Sequence, residues 1–178
     1  MPSLSLQSRQ LLVMSPLSEY NIDECGDACI VIQNKLFRVS SRKLSALSPT
    51  FSNIFANQES AELHEDPEAF CQLLRCAHGI FVPTTSISAD ILMKLTDMMQ
   101  RYCIQGDSSV HTLINCCFAV QTLQPAKIRP SDLLKYLTVA KALGKVPKML
   151  LDLFQHGSGK QEVKLQSGDN LCALFLGM

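Results

Sequence analysis

The sequence predicts an α+β fold: a small three-stranded sheet covered by about five helices, with additional helices after it. Three observations carry this reading. Ala28–Ile32 is a nearly continuous apolar, β-branched run that returns, after a polar interruption, as Leu36–Val39. Immediately afterwards the apolar period changes from two to helical, with Leu44 and Leu47, then Phe51, Ile54 and Phe55. Two longer amphipathic stripes follow, one from Phe70 to Ala77 and one from Ile87 to Tyr102.

Each element has a local cause. Asn tolerates left-handed backbone, so Asn34-Lys35 is the expected two-residue turn of the hairpin. Beyond it, Phe37 and Val39 fall on one side of the pleat, Leu36 and Arg38 on the other. Ser40 or Ser41 can cap a first short helix, and Ser48-Pro49 opens a second, with a cap oxygen followed by a proline at the first helical position. Helices this short are unstable alone and must pack on the hairpin. Ser60 to Glu65 is a short segment between this helical pair and the next helix. Asp66-Pro67-Glu68 then starts a helix with Phe70, Leu73, Leu74 and Ala77 on its apolar face and Gly79 at its end. Ile80–Pro83 reads as an extended linker, and Ser86 or Ser88 caps the next helix. Beyond Cys103 come a helix over 108–123, one opened by Ser131-Asp132 and closed by Gly144, and one begun at Pro147. Ile30, Ile32, Phe37, Val39, Leu44, Phe51, Phe55, Phe70, Leu74, Leu92 and Leu95 are the expected core.

A chain of 178 residues with 47% apolar content can bury a core unaided, and it divides into four stretches. Residues 1–20 read as a flexible arm, 21–104 as the principal domain, 105–157 as a helical extension and 158–178 as a tail. Formal net charge is zero, which points neither to nucleic acid nor to an anionic membrane. Locally the charge is uneven: Glu59, Glu62, Glu65, Asp66 and Glu68 are acidic, and 127–148 is basic. No apolar run reaches the roughly 20 residues of a membrane span; the terminal LCALFLGM is far shorter. The eight cysteines follow no C-x-x-C spacing and no secretory signal precedes them, so reduced thiols in the cytoplasm or nucleus are expected.

No catalytic, cofactor or metal constellation emerges. Ser40-x-x-Lys43 lacks companion motifs, His64-Glu65 lacks the second histidine of a zinc helix, and His78 and His111 have no ligands at suitable spacing. Cys25/Cys29 and Cys116/Cys117 are the residues a thiol-dependent enzyme or redox sensor would use. Met93, Met98 and Met99 share a helix at a spacing that reads as core; the alternative is Met98 as an exposed, adaptable position.

The joint order of Asp27, the strand after it, Phe37-x-Val39, Leu44, Ser48-Pro49-x-Phe51 and Phe55 resembles the start of a BTB/POZ domain of the fungal kind, which runs much like FRVHSAILSAASPVF. The likeness continues through Glu62–Phe70, which is similar to ELPEDDPEAF and implies that Ser60–Glu65 is the third strand, through LLRCAHG, which is similar to LLRIIHG, and to Tyr102-Cys103. LTVAKALGK resembles the VAYVLGD helix that follows the domain in such members. Ser40 stands where the family usually has His, removing a common buried polar contact. The resemblance implies a non-catalytic protein-binding module, without cofactor, that self-associates as a homodimer or serves as an adaptor on a cullin ubiquitin-ligase scaffold. In dimeric members an N-terminal element exchanges between subunits. Carried onto this chain, the adaptor surface comprises Asp66–Gly79, Ile80–Ser86 and the helix from Ser108, with Gln72, Arg75, His78 and Phe81 as exposed contacts. The alternative reading of Phe81 is burial beneath the next helix beside Ile87.

Overall fold

The computed structural model describes residues 18–23, 25–123, 128–145 and 150–153. Two compact units divide within one helix, the first ending at Cys117 and the second beginning at Phe118. The first unit is built on a sheet of order β1-β3-β2-β4, with β1 Ser18–Asn21, β2 Ala28–Ile32, β3 Lys35–Val39 and β4 Ser60–Glu62. The hairpin β2–β3 is antiparallel, and β4 joins β2 in parallel, giving the three expected strands. A fourth strand extends them. Part of the stretch read as a flexible arm forms β1, parallel to β3 from Ser18↔Lys35 to Asn21↔Arg38. Residues 1–17 lie outside the described ones.

Register is set by burial. Ala28, Ile30 and Ile32 face the core opposite Val39, Phe37 and Lys35, and a slip of one residue would turn every apolar side chain outward. That register places the turn at Gln33-Asn34, one residue earlier than Asn34-Lys35, and Gln33 takes the left-handed backbone at φ 54°. Asn34 was the better left-handed candidate by chemistry, but the pairing of Phe37 with Ile30 outweighs that preference. Just before β2, Gly26 lies so close to β3 that a Cβ there would meet the Val39 backbone within 2.7–2.9 Å.

Two short helices follow, α1 Ser41–Leu47 and α2 Pro49–Phe55. Ser40 caps α1 by accepting from Lys43 N–H, and Ser41 is instead tied to Asp27 through its own hydroxyl at 2.6 Å. Helix α3 spans Pro67–Ala77, where Asp66 accepts from the amides of Glu68 and Ala69. Helix α4 spans Ala89–Arg101 and is capped by Ser88, while Thr84–Ser86 forms a separate turn of 3-10 helix. The core comprises ten of the eleven expected residues. Phe55 is the exception. It closes the last turn of α2, ahead of the connection to β4, and is half-buried. Met98 is buried, as the core reading of its spacing expects and not its exposed alternative, because α4 is covered on more than its narrow stripe.

Helix α5 spans Ser109–Thr122 and crosses into the second unit, which also contains α6 Pro130–Ala142 and a helical stretch at 150–153. Ser108 accepts from His111 N–H at the start of α5. Proline occupies the first position of α6, one residue before the expected Ser131-Asp132 opening. Asp132 is buried and bonded to Arg129 at 2.7 Å and Lys135 at 3.0 Å, which hold its carboxyl below the usual range against the effect of burial. The expected start at Pro147 and the tail 158–178 lie outside the described residues.

Candidate functional site

The end of α3 determines what the adjacent loop can present. Ala69, Phe70, Leu73 and Leu74 are buried, so the helix is fixed by its inner face. Its last turn closes with Gly79 N–H donating to Cys76 C=O at 3.0 Å and Ile80 N–H donating to Arg75 C=O at 2.8 Å. This paired closure needs a left-handed residue after the cap, and Gly79 supplies it at φ 75°. The reversal turns the chain outward. Ile80 is partly exposed and Phe81 is 80% exposed, while Val82 and Ile87 return to the core. The Arg75 guanidinium donates to Phe81 C=O at 3.4 Å, and Ser86 donates its hydroxyl to Pro83 C=O at 2.7 Å. Phe81 is therefore an aromatic ring in water on a loop anchored at both ends, and it does not tuck under the next helix beside Ile87.

The other three named contacts sit differently. Gln72 and Arg75 are half-buried on the outer side of α3. His78 is not a surface residue, for its side chain is only 1% exposed. Its Nδ1–H donates to Leu74 C=O at 2.9 Å, and its Nε2 accepts from Ser40 N–H at 3.1 Å. This arrangement requires the neutral imidazole with the proton on Nδ1. The sequence reading missed the link because it spans 38 residues. A clue existed in Ser40 itself: with no imidazole there, the amide at the β3–α1 junction needs a partner from elsewhere in the fold.

The bonding of His78 has a pH consequence. Burial lowers its pKa, opposed by the Leu74 bond, with Lys43 lowering it further and Asp23, whose carboxylate lies 4.0 Å from Nε2, raising it. A histidine with a depressed folded pKa stays neutral in the fold while the unfolded chain takes up a proton near pH 6.5. Stability is then full above that value and is lost as pH falls from about 6.5 toward the folded pKa, at up to about 1.4 kcal/mol per pH unit. Urea unfolding from pH 8 to pH 5 is expected to show this loss in the native chain and a flatter profile in His78→Gln. Identical profiles would show that His78 does not titrate between the two states.

Burial raises the Cys71 and Cys76 thiols, and it pushes Cys117 up to about 11, with the neighbouring Cys116 and Cys76 adding to the effect. Cys116 and Cys117 are adjacent in α5 but diverge, one exposed and one buried. Among the described residues, no three His, Cys, Asp or Glu side chains converge as metal ligands do, and no helix is long and apolar enough to cross a membrane.

The order of these elements, a hairpin, two short helices, a parallel third strand and two capped helices, is the one the family comparison recognises. The BTB/POZ domain model matches residues 18–111. The chain belongs to the BTB/POZ family. This BTB/POZ domain is thus a protein–protein interaction module, of a family that is not typically enzymatic. Its match begins at the residue that opens β1 and ends within α5. Sixteen solved chains also match. One is the BTB domain of zebrafish PATZ1, which is 18% identical, with the alignment covering 55% of this chain and 76% of that one at a TM-score of 0.42. No curated protein matches the chain.

Proposed function

We propose that this BTB/POZ domain is a non-catalytic adaptor that docks a cullin-type ubiquitin-ligase scaffold on the α3 end and the loop after it. The observation that carries the reading is Phe81, a fully presented aromatic held by a Schellman-type turn and an arginine–carbonyl bond. A large apolar residue costs solvation where it stands and gains most when a partner covers it, which is how interface anchors work. Arg75 holds the Phe81 carbonyl, Gln72 lies half-buried one turn earlier on α3, and His78 ties the end of α3 to the β3–α1 junction. Self-association through strand exchange is the second reading. Strand β1, which pairs with β3, is the element that would exchange. A thiol-based sensor at Cys116/Cys117 is disfavoured by their divergence, one exposed and one buried with its pKa raised. Reduced cysteines suit action in the cytoplasm or nucleus, and a cullin adaptor needs neither nucleic acid nor a membrane.

The test titrates the purified chain with a cullin N-terminal domain by calorimetry. Phe81→Ala is expected to weaken binding by about thirtyfold, the effect of losing a 2 kcal/mol anchor, with the melting temperature unchanged. Absence of cullin binding together with a dimer in sedimentation would favour self-association instead. A lowered melting temperature with intact binding would make Phe81 a structural residue.

A further inference from the structure

Helix α5 is unusual in what it shows to water. None of its fourteen residues, SVHTLINCCFAVQT, is Asp, Glu, Lys or Arg. By contrast, α4 exposes Asp90, Asp97, Gln100 and Arg101. One side of α5 is buried through Val110, Leu113, Ile114 and Cys117, and in the second unit Phe118 meets Tyr136 of α6 with ring centroids 6.5 Å apart. The opposite side exposes Ser109 and Thr112 in its first half and turns apolar in its second. From Cys116 onward, every exposed residue is apolar: Cys116, Ala119, Val120 at 47% and Leu123 at 75%. Their spacing of three, four and seven residues places them on one stripe. A helix segment apolar on both sides is one whose two sides are meant to be covered.

The chain also holds a second apolar element with no polar purpose. Leu171–Met178 reads LCALFLGM, with leucine at 171, 174 and 176 and Phe175 among them. It is separated from the last described helical residue by 154–170, a stretch containing Gly157, Gly159 and Gly168. Seventeen residues reach up to about 55–60 Å, several times the roughly 21 Å length of α5, so the tether reaches the stripe from any attachment point on the unit. We infer that Leu171–Met178 docks on the α5 stripe of its own chain, covering Ala119, Val120 and Leu123. Two apolar surfaces in one chain meet at the effective concentration their tether sets, which a second copy in dilute solution cannot match. The occupant is therefore the chain's own segment.

Two cysteines make the contact measurable. Cys116 lies on the stripe and Cys172 in the segment. In the full chain, alkylation of Cys116, read by peptide mass spectrometry, is expected to be about tenfold slower than in a Leu174→Asp, Phe175→Asp double variant, the protection that about 1.4 kcal/mol of docking provides. A short bis-maleimide is expected to join Cys116 to Cys172 within one chain of the unmodified sequence. Equal alkylation rates in the two proteins would overturn the inference. So would Cys116–Cys172 links found only between chains, which would assign the stripe to a second copy. The cross-link needs no variant, so a double variant that failed to fold would leave the inference open to refutation.

Discussion

Phe51→Ala is expected to cost about 3–5 kcal/mol of folding stability, the range for a large aromatic removed from a packed core. Its ring is fully buried and stacked on Tyr102, with centroids 4.6 Å apart and planes 12° from parallel. Its edge meets Phe70 at 6.4 Å, Phe70 meets Phe37 at 5.8 Å, and Phe37 stacks on Tyr20 at 5.2 Å. These five rings run from β1 through β3, α3 and α2 to the end of α4. Truncating the ring nearest the helix pair removes both its contacts and the support it gives Tyr102, whose hydroxyl donates to Glu65 at 2.7 Å. A domain of this size has about 5–15 kcal/mol in total, so the variant should be largely melted at modest urea concentrations. Phe55→Ala, at the half-buried end of α2, is the comparison and should cost clearly less. A loss below about 1 kcal/mol at Phe51 would show that the helix pair does not pack on the hairpin as described.

The parts of this fold legible in the sequence were those with a local cause. The nearly continuous apolar run Ala28–Ile32 and its return at Leu36–Val39 announced the hairpin, and Ser48-Pro49 and Asp66-Pro67 announced two helix starts through cap chemistry that needs no tertiary context. What was not legible depended on partners distant in sequence. Strand β1 is made by pairing with β3, because Ser-Glu-Tyr-Asn has no alternating apolar pattern of its own. The turn moved to Gln33 because the sheet register overrode the preference of Asn34. His78 was placed on the surface by the resemblance alone, yet the bond from Ser40 holds it inward. Phe81 was ambiguous for a related reason. Val82 and Ile87 both compete for the core beside it, and only the direction set by the Gly79 reversal decides which of the three stays outside.

Ser48→Ala is expected to cost about 2–4 kcal/mol, a large loss for the removal of one oxygen. A hydroxyl at this position does three things at once. It accepts from Thr50 N–H at 3.1 Å and from Phe51 N–H at 3.3 Å, closing the first turn of α2, and it donates to the backbone carbonyl of Tyr102. Ser48 is wholly buried, so water cannot replace any of these bonds. Losing the cap accounts for about 1 kcal/mol, and leaving the Tyr102 carbonyl without its donor adds about 1–3 kcal/mol. Ser40→Ala provides the contrast. Its cap bond to Lys43 is long at 3.4 Å and exposed, so its loss should fall near the low end of the capping range, about 0.5 kcal/mol. Hydrogen exchange separates the two parts of the Ser48 effect. The amides of Thr50 and Phe51 report the cap, and the protection of the last turn of α4 reports the lost tie to Tyr102. If Ser48→Ala loses no more than Ser40→Ala, the buried hydroxyl does not join α2 to α4, and the packing of Phe51 on Tyr102 alone must hold the two helices together.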